Sequence, residues 1–223
     1  MKKLLPVIAL AIFAVLGGTW FLTQSSDPSD PILGSALAQE AGEIDTSTVA
    51  EMVLGNPDAA VEVIEYASFT CPHCAAFHAN QFQELKANYI DTGLIKFVYR
   101  EIYFDRFGLW ASMVARCGGE MRFFGISDML YDQQREWIAG GQDPALIAGN
   151  LRRIGLTAGL DGEQVDACLS DPTTAQTLVA WFEENSARDE ITSTPSFIIN
   201  GEKFSNMSYS DFAAVLDERL AAQ

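Results

Sequence analysis

The chain has 223 residues, is 48% hydrophobic and carries a formal net charge of −16. That much apolar material supports a packed core and excludes a disordered chain. So acidic a protein is ill suited to nucleic acid, whose phosphates call for Lys and Arg, and the length suits one domain with an insertion or two small ones.

Lys2 and Lys3 precede an uncharged run from Leu4 to Leu22. At 19 residues this run exceeds the apolar stretch of a secretory signal, roughly 7–15, and nears the ~20 of a membrane span. Pro6, Gly17 and Gly18 weaken it as a helix, and Ala36-Leu37-Ala38 has the small-x-small form of a cleavage site. Residues 1–38 are read as a cleaved export signal, with a retained anchor as the alternative. Thr23 to Glu43, rich in Ser, Pro, Asp and Gly, reads as a tether. Either way Gln39 onward is exported, so a periplasmic location is expected, and four cysteines outside the cytosol fit two pairs.

Val61 to Ala67 (VEVIEYA) is β-branched and aromatic and follows the turn-like Asn56-Pro57-Asp58, which predicts a central strand. Cys71 follows closely and opens a helix, with Pro72 suited to the first turn. Phe77, Phe82, Leu85 and Tyr89 give that helix its apolar spacing, and Gly93 ends it. Leu94 to Tyr99 (LIKFVY) is a second strand. From about Arg106 to Arg188 the pattern is helical, with room for four or five helices. Asp143-Pro144 and Asp171-Pro172 mark starts, and Asp161 with Gln164 has a capping-box pattern. Ser196 to Ile199 runs into Asn200-Gly201 and Glu202-Lys203-Phe204, a hairpin signal because both turn residues take positive φ. Ser208 with Asp211 caps a last helix carrying Phe212, Val215, Leu216 and Leu220 on one face. The expected layout is α/β: β-α-β, a helical insert, then β-β-α.

Cys71-Pro72-His73-Cys74 carries the chemistry. A helix start leaves N–H groups unpaired and bears partial positive charge, which stabilises a thiolate. Cys71 sits at that turn and is the expected nucleophile; Cys74, one turn deeper, is the resolving partner. A partly protonated His73 adds positive field beside Cys71. A stable thiolate favours the reduced form and makes the disulfide a strong oxidant, which points to donating disulfides. The rival use of C-x-x-C is a metal site, in which Cys71, Cys74 and His78 would be joined by Cys117 or Cys168. Otherwise His78 is expected as an exposed polar position.

Two further positions stand out. Pro195, after Thr194, begins the strand Ser196 to Ile199, either as a plain linker or as a cis peptide facing the cysteines that frees backbone for a substrate strand. Glu65 interrupts the apolar run of the first strand. It either faces solvent or is buried, in which case its pKa should rise and let it exchange protons with Cys74.

Val63-Ile64-Glu65-Tyr66, Phe69, Cys71-Pro72-His73-Cys74 and Thr194-Pro195 before Ser196-Phe197 together resemble the DsbA family of thioredoxin-fold disulfide oxidoreductases. The likeness covers about Gly55 to Gln223. It implies a thioredoxin-like domain over residues 39–104 and 189–223, an all-helical insertion over 105–188, Cys71 as the attacked cysteine, Cys74 buried and Pro195 cis. It implies unfolded exported proteins as substrates, a membrane quinone-linked reoxidase similar to DsbB, and no cofactor beyond the Cys71–Cys74 disulfide itself. Thr194 stands where the best-known oxidases of the family carry valine and is similar to the isomerase and reductase relatives. Those isomerases carry an N-terminal dimerisation domain, for which Gln39 to Asn56 is too short. A monomeric oxidase is therefore expected, with an isomerase or reductase of the same fold, or a periplasmic metal-binding thiol protein, as rivals. Cys117 and Cys168, both in the insert, either form a structural disulfide closing a long loop or are buried free thiols.

Overall fold

The computed structural model describes residues 44–223, so the export signal or anchor and the tether lie outside the described residues. Two strands precede the cysteines where the sequence predicts one: β1 (Met52–Gly55) and β2 (Val61–Ala67). After Cys71 a continuous helix, α1, covers residues 72–90 and includes π turns at His78–Phe82 and Lys86–Ile90. Strand β3 (Ile95–Glu101) follows. The sheet is completed by β4 (Ser196–Ile199) and β5 (Glu202–Ser205), in the order β1-β3-β2-β4-β5.

Strands β2 and β3 are parallel, as a helical crossover requires, and the other pairings are antiparallel. β1 is only four residues long. What defines it is its register on β3, from Met52 opposite Tyr99 to Gly55 opposite Lys96. Its end is cramped: Gly55 has φ +81°, and a Cβ there would lie 2.4 Å from the Ile95 carbonyl. The β4–β5 hairpin turns on Asn200 and Gly201 with φ of 46° and 83°, the left-handed geometry that this dipeptide favours.

Side chains alternate across β2. Val63 and Ala67 enter the main core with Phe77, Phe82 and Phe97, and with Phe212 of the last helix, α2 to α7 being the insert helices and α8 spanning Tyr209–Ala221. Ile64 and Tyr66 enter a smaller core with Val98, Ile102 and Ile198, against which Phe182 packs. Glu65, in phase with Val63 and Ala67, is fully buried on the α1 side; it does not face solvent.

The insert holds six helices instead of four or five: α2 (Arg106–Cys117), α3 (Glu120–Asp132), α4 (Gln134–Trp137), α5 (Pro144–Thr157), α6 (Gly162–Leu169) and α7 (Pro172–Arg188). The addition is α4, a single turn too short to show a period. Asp105, Asp143, Asp161 and Asp171 each accept backbone N–H bonds at a helix start, meeting donors that would otherwise be unpaired. The predicted box at Asp161 is only half formed, because Gln164 Nε2 turns away to donate to the Cys117 carbonyl at 2.9 Å. Among the described residues no helix is long and apolar enough to cross a membrane.

Candidate active site

The chain leaves β2 at Ala67, makes a turn closed by the Cys71 N–H donating to the Ser68 carbonyl at 3.0 Å, and enters α1. Cys71 is the N-cap, with extended φ/ψ of −83° and 119°, and Pro72 follows where its missing N–H leaves nothing unpaired. The spacing of the two cysteines thus sets Cys71 at the rim and Cys74 inside. Cys71 keeps 7% of its surface and Cys74 none, and both are free thiols.

Their acidities diverge. The Cys71 thiol falls from the ordinary 9.0 to about 5, chiefly because the Cys74 thiol donates to it. Burial opposes the fall, and the Thr194 side chain and the backbone N–H groups of Cys74 and His73 reinforce it. His73 contributes its backbone N–H to this site, and its ring is exposed. Cys74 moves the other way. Burial drives its pKa far above the ordinary thiol range, with the hydrogen bond to Cys71 and the charge of Glu65 adding to the rise.

The Thr194–Pro195 peptide is cis and lies across from the cysteines. The Thr194 carbonyl accepts from Cys71 Sγ at 3.6 Å. Its hydroxyl is buried with no other partner among the described residues, free to donate once that sulfur ionises. The carbonyl contact favours the thiol and the hydroxyl contact favours the thiolate, so the residue touches both protonation states.

Below Cys74 lies a polar cluster that the sequence did not disclose. His78 is buried, not exposed. Its Nε2 sits 3.1 and 3.0 Å from the two oxygens of Glu65, which supplies the partner a buried carboxylate requires. Its ring stacks on Tyr131 with centroids 4.2 Å apart, and the Tyr131 hydroxyl meets that of Tyr99 at 2.5 Å. Burial holds both phenols well above the ordinary tyrosine range. His78 lies on α1, Glu65 on β2, Tyr99 on β3 and Tyr131 on α3, so only folding unites them. The helical position of His78, one turn after Cys74, was the available signal.

Cys117, ending α2, and Cys168, in α6, are joined in a disulfide with Cα atoms 6.0 Å apart. Neither can then join Cys71 and Cys74 as a metal ligand, and His78 Nε2 is engaged by Glu65. Among the described residues no group of three or more His, Cys, Asp or Glu side chains is arranged to hold a metal ion.

Known proteins resemble this chain in sequence and fold. A protein of Rickettsia bellii named for protein-disulfide oxidoreductase activity is 37% identical over 171 residues, 76% of this chain and 64% of its own length. The chain thus spans under two thirds of the length of that relative, and 61% of those of Rickettsia felis and Rickettsia prowazekii. The crystal structure of Wolbachia pipientis alpha-DsbA1 superposes with a TM-score of 0.71 at 28% identity, covering 77% of this chain and 92% of that one. A protein-disulfide isomerase from Novosphingobium aromaticivorans gives 0.69 at 25%, covering 76% and 97%. The family model described as thioredoxin matches residues 47–218, spanning both halves of the sheet and the insert between them. The chain belongs to the thioredoxin family.

Proposed function

We propose that this protein is a thiol–disulfide oxidoreductase that donates the Cys71–Cys74 disulfide to exported proteins during oxidative folding. The observation that carries this reading is the opposite displacement of the two thiols: Cys71 held down at about 5 and Cys74 pushed far up. A cysteine that is anionic at neutral pH stabilises the reduced pair, so its disulfide gives itself up readily.

A substrate thiolate attacks Cys71 Sγ, forming a mixed disulfide and breaking the Cys71–Cys74 bond. Cys74 leaves with the electron pair and takes a proton, and the Glu65 charge felt at Cys74 supports the Glu65–His78 pair as the exchanger. A second substrate thiolate then attacks the substrate sulfur and expels Cys71, whose low pKa makes it a good leaving group. The substrate loses two electrons to the protein's sulfurs. Of the two substrate protons, one ends on Cys74 and the other goes to solvent, since Cys71 stays ionised. Turnover needs an external oxidant, and the resemblance supports a membrane quinone-linked partner similar to DsbB. The same resemblance, with the export-type residues 1–38, supports a periplasmic monomer acting on unfolded thiol proteins.

A substrate strand docking beside Cys71 would meet the Thr194–Pro195 segment, whose Thr194 carbonyl lies 3.6 Å from Cys71 Sγ. Equilibration with glutathione buffers tests the direction. A potential well above thioredoxin's, about −270 mV, is expected. A value at or below it, with reactivation of scrambled substrates, would move the protein to the reductase or isomerase class, which the name of the Novosphingobium relative and Thr194 both leave as the second reading.

A further inference from the structure

The turn that carries Cys71 is held from outside the sheet. Gln134, the first residue of α4, is buried, and its Nε2 donates to two carbonyls of that turn: Phe69 at 2.8 Å and Cys71 at 2.9 Å. Among the described residues no backbone N–H reaches the Phe69 carbonyl, and the Cys71 carbonyl has the Ala75 N–H at 3.2 Å as its other donor. One amide therefore uses both of its N–H groups to fix the residues on either side of Thr70.

Gln134 is itself mounted firmly. Trp137 of the same turn is buried and donates from Nε1 to the Leu130 carbonyl at 2.8 Å, while Asn150 Nδ2 donates to the Trp137 carbonyl at 3.2 Å. Tyr131, just ahead on α3, packs on Phe69 with ring centroids 5.1 Å apart. The insert thus meets the Cys71 turn with an anchored ring and an anchored amide.

The donors that favour the Cys71 thiolate come from separate places: the Cys74 thiol and the backbone at 73 and 74 on α1, and Thr194 across the cleft. They converge on one sulfur only while the turn before α1 keeps its position. We propose that Gln134 is a positioning residue through which the helical insert sets the redox poise of the Cys71–Cys74 pair. Its amide donors also draw negative partial charge away from a carbonyl on the same residue as the reacting sulfur. The inference rests on the oxidoreductase reading but concerns a difference between variants.

The test compares wild type, Gln134→Met and Gln134→Glu, following Cys71 thiolate absorbance against pH and the reduced-to-oxidised ratio in glutathione buffers. The wild-type midpoint judges the oxidoreductase reading: a midpoint like that of a free thiol overturns that reading whatever the variants do. The differences judge Gln134. In Gln134→Met the midpoint should rise by about one pH unit, and the equilibrium should move about tenfold toward the oxidised protein, one unit being tenfold. Gln134→Glu keeps the shape and, when ionised, removes both N–H donors and adds a negative charge, so its shift should be larger with the same sign. Should Gln134→Met fail to fold, Gln134→Asn, which retracts the amide by one methylene, serves in its place. Lower melting temperatures with midpoints and equilibria still within about twofold of wild type would overturn the proposal and leave Gln134 a merely structural residue.

Discussion

At Cys71 two opposing effects meet, and hydrogen bonding wins. Burial alone raises a thiol pKa, as it does at Cys74, yet the donors around Cys71 bring it to about 5. In the unfolded chain the thiol titrates near 9.0. The folded reduced protein therefore draws full stability from this group above pH ~9, progressively less as pH falls, and none below ~5. At pH 7 the gain is on the order of 3 kcal/mol. The oxidised protein has no such group, so the melting temperature of reduced protein should exceed that of oxidised protein at pH 7 and lose its lead by pH 5. A gap that ignores pH would contradict the assignment. Thr194→Val removes the hydroxyl donor at nearly constant shape, and the thiolate midpoint should rise by about one unit, since a hydrogen bond to a charged group is worth ~1.5–3 kcal/mol. At the buried pair, His78→Leu strands the Glu65 carboxylate and should cost ~3–5 kcal/mol in urea unfolding. Adding Glu65→Leu should restore most of that. Additive losses would mean that the two side chains do not act as a pair.

Among the elements, the least self-sufficient decide the most. Strand β1 is four residues long and exists by its ladder on β3. Gly55→Ala would force a Cβ to within 2.4 Å of a backbone carbonyl at positive φ, and should cost well over ~1 kcal/mol in thermal or urea unfolding. Tolerance of alanine there would mean that the edge strand moves freely. α4 is a single turn, yet it carries Gln134 to the cysteine turn. The π turn that begins at His78 lies where α1 supplies its polar group to the buried cluster, a placement common for such turns at working sites.

Across residues 44–223, sheet and insert share the main hydrophobic core, in which Val63, Phe77 and Phe97 are continuous with Phe123, Leu130 and Trp137. The Cys117–Cys168 bond spans 51 residues of the insert, and closing a loop of that size is worth about 4 kcal/mol by chain entropy. The double substitution Cys117→Ala/Cys168→Ala should lower stability by about that much in denaturant titration. A change below ~1 kcal/mol would show that the unfolded insert is already restrained.

What the sequence determined by itself is what depends on near neighbours. The Cys71-Pro72-His73-Cys74 segment at a helix start, the Asn200-Gly201 hairpin and the aspartate caps all rest on interactions within a few residues. Tertiary structure alone decided that Glu65 and His78 are a buried pair, that Thr194 faces the Cys71 sulfur, that β1 is a strand, and that Gln134 reaches the Cys71 turn. Each of these depends on groups from separate elements meeting in space, and a polar side chain carries no local mark of the partner that will let it be buried.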